Sequence, residues 1–466
     1  MLALLSKPRV PAVKSEGVFR DKTTPAAITS LVLVPHRDLA YQLYHWIESI
    51  VKKSPKRPHL PSVVQMLVRG AAVPVKDQIS QLHGSPPHVL VGTPQAVQEV
   101  FNEDRAALQL DSLSTVVVDE VDYLIDAVPR NASTYKRDKV LKNIRKHPGP
   151  TRELLNFIYD RRRGSVESSS GCTAGRSPQL VMTSATFRVS YQNEVLQSGW
   201  FQGEVIKVTG SSTADTGSGS DDNGHSPSLS HCVLVVSQEG RIKNIEGAVE
   251  AQAESPDDVR SGPESSEEAF PISDDDADEI FQPKLDSELR KKFTSTPSPF
   301  DPALLEAVAA AFALDVPRLA LLVLPAVGSV KRAVFELQQL GVNAQGLDLF
   351  AEDQGRKQLL NNSPGAPVDN PVLLVSTWAS TRGLDLPELS HVFVLGVPEG
   401  RRVDTYLHVA GRTGRFGRSG KVVTVVEDRR EVVRPDGKKI VQDDPKRMAV
   451  VLKEIGIVPV KFEHFD

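Results

Sequence analysis

Residues Thr115–Asp126 read TVVVDEVDYLID. Val116, Val117 and Val118 form an unbroken β-branched run that ends abruptly in Asp119, Glu120 and, after Val121, Asp122. β-branched side chains favour extended backbone, and an apolar run without alternation is covered on both faces. The run is therefore read as a buried strand of a parallel sheet. Carboxylates at its C-terminal end then fall where such sheets hold their sites. A core strand that merely ends in a charged turn has the same pattern, so the rest of the chain decides.

Outward from this stretch the same pattern recurs. Leu31–Val34 (LVLV) is a short buried strand closed by Pro35-His36-Arg37-Asp38-Leu39-Ala40. A helix follows over Leu39–Val51, with Leu39, Leu43, Trp46, Ile47 and Ile50 at helical spacing. Val63–Val68 is a strand ending at Arg69-Gly70, Val89–Val91 one ending at Gly92-Thr93-Pro94, and Leu180–Met182 one ending at Thr183-Ser184-Ala185-Thr186. Met1–Lys7 reads as the end of a helix, with a Pro-, Lys- and Thr-rich loop after it up to Ser30. Strands alternating with helical stretches give βαβ units, and every polar cluster follows a strand.

Composition shifts after Val208. Ser211–Ser230 is Ser, Gly and Asp with almost nothing apolar and reads as disordered. His231–Val236 is one ordered strand, which Arg241–Ile245 extends. Residues 250–289 hold 14 Asp or Glu against two basic residues, an acidic disordered insert read as a solvated linker, with mimicry of nucleic acid in a basic groove as the alternative. A second α/β pattern starts at Asp301. It has a helix over Pro302–Leu314, a strand Leu319–Leu324, a helix Ser329–Leu340, and strands Pro371–Val375, His391–Leu395 and Val422–Val426. A Gly- and Arg-rich segment, Tyr406–Gly420, precedes the last strand, and a short closing helix spans Pro445–Ile455. The expected domains are 1–210, a linker 211–300, a second domain 301–430 and an extension 431–466.

For 466 residues, roughly 100–200 residues per domain predicts two or three domains. A hydrophobic content of 40% and a charged content of 24% describe a soluble globular chain. Net charge is −4, so no global basic signature exists, although the acidic insert masks the balance. Cys172 and Cys232 lie far apart without metal-ligand spacing, which points to a reducing compartment rather than a disulfide framework. No apolar run approaches membrane-spanning length, and Met1–Leu5 is too short for a signal-peptide core.

The ordered motifs resemble those of DEAD-box RNA helicases of superfamily 2. PHRDLA at Pro35–Ala40 is similar to the family's PTRELA, and Arg69-Gly70 sits at its glycine pair. Thr93-Pro94-Gln95-Ala96 is similar to TPGR, Asp119-Glu120-Val121-Asp122 to DEAD, and Ser184-Ala185-Thr186 to SAT. Thr377 with Arg382-Gly383-Leu384-Asp385 resembles the T…RGLD element. His408-Val409-Ala410-Gly411-Arg412-Thr413-Gly414-Arg415 resembles HRxGRTGR, with Val409 for its first arginine. No single match is specific; the order and spacing from Pro35 to Arg415 are.

The resemblance implies two tandem RecA-like α/β domains with parallel sheets, and ATP and Mg²⁺ as cofactors. It implies that Asp119 holds Mg²⁺ with Glu120 nearby, that these carboxylates and Asp122 position the attacking water, and that Arg412 and Arg415 stabilise charge on the γ-phosphate. Gly383 and Asp385 would contact the nucleotide. Ser184, Ala185, Thr186 and His408 would couple it to domain closure, which opens short duplexes. RNA would be held without sequence reading by Arg37, Gly70, Thr93, Pro94, Thr377 and Arg382, with Arg356 a further candidate. The expected partners are RNA and ribosome-assembly particles, in a monomer without membrane contact. A looser resemblance to fungal mitochondrial DEAD-box helicases makes the mitochondrion one expected compartment, beside nucleus and cytoplasm.

The departures are specific. No GxxxxGK[ST] and no adenine-reading Q motif occur in the 466 residues. Gly420-Lys421 is followed by Val422 and does not qualify. The expectation is that Met1 lies just beyond a phosphate-binding loop and that the first sheet lacks its first strand. A relic that binds RNA or a partner without hydrolysis, and a superfamily 2 DNA helicase, are the competing readings.

Overall fold

The computed structural model describes residues 2–6, 27–55, 58–70, 73–126, 128, 133–167, 177–184, 192, 195–201, 204–208, 229–250, 287–325, 329–347, 370–384, 386, 389–398, 402–414, 419–433 and 439–466. The chain divides into two compact units, each built on its own parallel sheet.

The first sheet contains β1 (Ser30–Leu33), β2 (Val64–Leu67), β3 (Val89–Gly92), β4 (Thr115–Val118) and β5 (Gln179–Met182), in the order β2-β3-β1-β4-β5 and all parallel. β1 lies at the centre, with Leu31 opposite Leu90 on one side and Val116 on the other. That position explains why its four residues are all buried. The apolar core gathers Leu31, Leu33, Val116, Val118, Ile158, Tyr159 and Trp200. Each such side chain, when fully buried, contributes roughly 1.5–3 kcal/mol. The strand Thr115–Val118 is therefore one removed from the middle, with Val116 and Val118 in the core, Val117 half-buried and the carboxylates beyond the strand end.

Helices enter from the strand ends. Arg37–Lys53 is capped by His36, whose ring accepts from Leu39 N, and Pro94–Glu103 starts with proline in its first turn. Two helices that periodicity did not mark, Thr134–Lys146 and Pro150–Glu167, lie between the acidic turn and β5. Ser133 caps the first, accepting from Lys136 N.

The second sheet contains β6 (Leu229–Val236), β7 (Ile242–Asn244), β8 (Leu319–Leu324), β9 (Ala344–Gly346), β10 (Val372–Thr377), β11 (His391–Leu395) and β12 (Gly420–Glu427), in the order β7-β6-β12-β11-β8-β10-β9. Only β6 and β7 pair antiparallel, so Ile242–Asn244 turns back along β6 rather than extending it. This changes the expected domain limits. β6 was read as an isolated strand in a linker ending at 300, yet it pairs along its whole length with β12. The strand begins at Leu229, inside the Ser/Gly-rich tract read as disordered up to Ser230. Ser287–Ser295 is a helix, bound to the second unit by Arg332, which donates to the Phe293 and Thr296 carbonyls. The closing residues also belong to this unit. Arg430–Val433 pairs with Lys439–Gln442 as a hairpin, the helix Asp444–Ile455 buries Met448, Val451 and Leu452, and Phe462 enters the core. The acidic stretch, apart from the described residues 250 and 287–289, lies outside the described residues.

Candidate functional site

In the first unit the strand ends bring the predicted carboxylates together with β5. Asp119 N donates to Leu33 O at 3.0 Å, which fixes the residue in line with β1. Its Oδ1 accepts from Glu120 N at 3.0 Å and from the Thr183 hydroxyl. Two backbone bonds, Val121 N to Thr183 O and Thr183 N to Val118 O, each 3.0 Å, bind the acidic turn to the end of β5. Ser184 Oγ then donates to Asp122 Oδ1 at 2.7 Å. The turn is made at Glu120, whose φ of 52° lies in the left-handed region. A non-glycine residue there costs roughly 1–2 kcal/mol, so the surrounding bonds must hold it.

Residues 379–384 pack as part of this same unit. Arg382 and Asp122 are both buried, and Arg382 Nη1 stands 3.7 Å from Asp122 Oδ2. The guanidinium lies over the Tyr123 ring, 4.9 Å from its centroid. A buried carboxylate requires such a cation, because an isolated one is strongly destabilising. The structure thus places Arg382 within the acidic cluster rather than on an exposed rim. His36 accepts at Nδ1 from Leu39 N, 3.3 Å away, so its Nε2–H donates to the Arg382 carbonyl. At Gly383, φ is 69° and an added Cβ would lie 2.4 Å from Leu39 Cδ2, so a larger residue is strained by its backbone and must displace the Leu39 side chain. Sequence reasoning missed His36, Tyr123 and Thr183. The signal available for Thr183 was its position at the strand end, directly before Ser184.

The residues expected on RNA occupy the ends of β1, β2 and β3. The Arg37 guanidinium approaches Gly70, whose missing Cβ would be 3.9 Å from Nη1. Thr93 precedes Pro94 at the start of its helix, and the threonine hydroxyl makes no capping bond. Thr377 closes β10 in the second unit.

Also in the second unit, the helix Arg402–Ala410 carries His408. Arg412 is buried and donates from Nε to His408 O at 3.1 Å. Thr413 Oγ1 donates to Leu389 O at 2.7 Å. At Gly420 an added Cβ would meet Thr413 Oγ1 at 2.3 Å and Gly414 N at 2.7 Å, so β12 and the loop after the helix touch through hydrogen alone. Val409 is 1% exposed, and its isopropyl group suits that apolar position as a guanidinium would not. Ala185, Thr186, Arg356, Asp385 and Arg415 lie outside the described residues.

Residues 10–195 match the DEAD/DEAH box helicase family, and residues 314–417 match the helicase conserved C-terminal domain. The chain belongs to the DEAD/DEAH box helicase family. This DEAD-box chain is 22% identical over 424 residues to the ATP-dependent RNA helicase MAK5 of Eremothecium gossypii, covering 88% of this chain and 45% of that one. It is 32% identical over 124 residues to the DEAD-box ATP-dependent RNA helicase CshC of Bacillus cereus, covering 27% of each. Among solved structures, Mss116p bound to ssRNA and AMP-PNP matches 93% of this chain and 63% of that one, with a TM-score of 0.52 and 14% identity, a likeness of fold. The chain spans about half the length of the MAK5 helicases it matches.

The carboxylates fit a divalent cation. Asp119 Oδ1 faces the protein, while Oδ2 makes no hydrogen bond to a described residue. Hard oxygen donors of this kind suit Mg²⁺. The first unit supplies no lysine from a GxxxxGK[ST] segment to accompany them, because none occurs in the 466 residues.

Proposed function

We propose that this DEAD-box chain forms the RNA-binding body and the magnesium side of an ATP-dependent RNA helicase. The observation that supports it most is the acidic turn locked to β5, with Asp119 held by Thr183 and Asp122 by Ser184. ATP with Mg²⁺, when bound, supplies the free energy of phosphoanhydride hydrolysis. The chain's own part is to hold and orient. Asp119 would bind the metal through Oδ2, and Glu120 would orient a water and accept its proton. Arg412 and Arg415 would stabilise charge on the transferred group. Arg37, Gly70, Thr93, Pro94 and Thr377 would grip the RNA backbone, since small residues let backbone N–H groups approach phosphates. The two units would open short duplexes by ATP-driven closure.

The similarity to the ATP-dependent rRNA helicase SPB4 of Candida glabrata, 26% identical over 168 residues, supports ribosomal RNA as the substrate, with its assembly particles as the setting we infer from it. We read the protein as a monomer acting in the nucleus, the cytoplasm or the mitochondrion.

One observation favours a second reading. No GxxxxGK[ST] occurs in the 466 residues, whereas the residues proposed to contact RNA are present. On that reading the chain binds RNA or a partner without hydrolysis. Strand displacement from a short fluorescent RNA duplex separates the two, using the chain extended by an engineered GxxxxGK[ST] segment. ATP-dependent displacement supports the helicase; tight RNA binding without displacement supports the second reading.

A further inference from the structure

The helix Thr134–Lys146, inserted directly after the acidic turn, is charged in a way the chain as a whole is not. Between Ser133 and Arg163 the sequence holds ten Lys or Arg against three Asp or Glu, in a chain whose net charge is −4. Within the helix, Lys136, Arg137, Lys139, Lys142, Arg145 and Lys146 are all exposed. None of the six has an ion pair with another described residue.

Their arrangement is more specific than their number. At 3.6 residues per turn, Tyr135, Lys139, Lys142 and Lys146 fall on one strip, spaced i, i+4, i+7 and i+11. Ile144, the one buried residue of the helix, lies on the opposite face. This is the spacing of an amphipathic stripe, yet it points to solvent and carries an aromatic and three lysines. Tyr135 is 80% exposed, which an ordinary solvated face does not require of a tyrosine.

We propose that this strip is a second RNA contact, in which Lys139, Lys142 and Lys146 neutralise successive phosphates and Tyr135 stacks on an unpaired base. The proposal rests on the RNA-binding reading above. Phosphate neutralisation by lysine gives grip without sequence reading, and a tyrosine face accepts any base. The chain's own acidic stretch, residues 250–289, is the competing occupant by charge. RNA is favoured because the aromatic shares the lysine strip.

The test is fluorescence anisotropy of the full chain with fluorescein-labelled poly-uridine, over a range of salt concentrations. Glutamine keeps helix propensity, so K139Q/K142Q/K146Q retains the fold, and circular dichroism checks this. Its plot of log affinity against log salt should be shallower by about 2, since each lost phosphate contact on a single strand removes about 0.7. Y135A should bind about tenfold more weakly with the slope unchanged, because stacking carries no counterion release. Glutamines at Lys331, Lys446 and Lys453 should leave the slope at the parent value. A parent that binds, with the same slope in K139Q/K142Q/K146Q, overturns this contact alone. A parent that does not bind RNA overturns both the contact and the RNA-binding reading. An unchanged slope together with a cross-link between Lys139 and the acidic stretch in the parent assigns the strip to that stretch, and overturns the proposal.

Discussion

One oxygen of Asp119 faces the protein and the other makes no hydrogen bond to a described residue. The Thr183 hydroxyl and Glu120 N hold Oδ1, so the carboxylate cannot rotate without breaking both bonds. Partners of this kind orient a metal ligand, and their loss typically weakens metal affinity 10–100-fold. Thr183→Val should therefore weaken Mn²⁺ binding, read by electron paramagnetic resonance, by about that factor, with the melting temperature of the first unit little changed. Equal Mn²⁺ affinity in the two proteins would remove Thr183 from the site. In the second unit, Gly420 leaves no room for a Cβ against Thr413 Oγ1 and Gly414 N. Gly420→Ala should destabilise that unit by about 1–3 kcal/mol in urea unfolding, since backbone at that distance cannot yield as a side chain can. A neutral result would show that the loop after the Arg402–Ala410 helix is not packed as described.

Among the elements, the start of β11 and the start of β12 are tied to the end of the Pro302–Asp315 helix by one carboxylate. Asp315 accepts from His391 Nε2 at 3.0 Å and from Lys421 Nζ at 2.8 Å. The His391 hydrogen bond, more than Lys421, holds the carboxyl well below its ordinary range, and burial opposes it only in part. A depressed carboxylate contributes stability that is present above the unfolded pKa of about 3.9, and is lost as pH falls below it. Unfolding of the second unit should thus become easier below about pH 4, and Asp315→Asn should flatten that dependence. An identical acid profile in the variant would discount the tie. These elements also show what the sequence makes legible. β8 and β11 are long apolar runs, and the expected Leu319–Leu324 and His391–Leu395 are the observed strands. β9 is three residues of mixed polarity, AQG, and carries no periodic signal; only its pairing with β10 makes it a strand. β6 was visible as a strand but not as a partner of β12, because pairing across some 190 residues leaves no local trace. At the site, carboxylates at a strand end were legible from type and order. The Asp122–Arg382 pair was not, since it joins residues 260 apart through folding alone.

At the scale of the molecule, a net charge of −4 conceals two opposed segments. The 133–163 region has ten basic residues to three acidic, and residues 250–289 have 14 acidic to two basic. The acidic stretch offers little apolar area to bury, so deleting residues 251–286 should leave thermal unfolding of both units nearly unchanged. Loss of folded protein on deletion would assign that stretch a structural part. The arginines belong to this scale too. In the chain extended by an engineered GxxxxGK[ST] segment, Arg415→Ala should lower RNA-stimulated hydrolysis by about 10³-fold or more, with nucleotide binding much less affected. Turnover within a few-fold of the parent would exclude Arg415 from the reaction. The central claim is that the turn after β4 is the water-orienting side of an RNA-dependent ATPase. Phosphate release with and without RNA tests it most directly, in the chain extended by an engineered GxxxxGK[ST] segment and in the Glu120→Gln variant of that extended chain. The account predicts RNA-stimulated release in the first alone. RNA-stimulated release that persists in Glu120→Gln would contradict it.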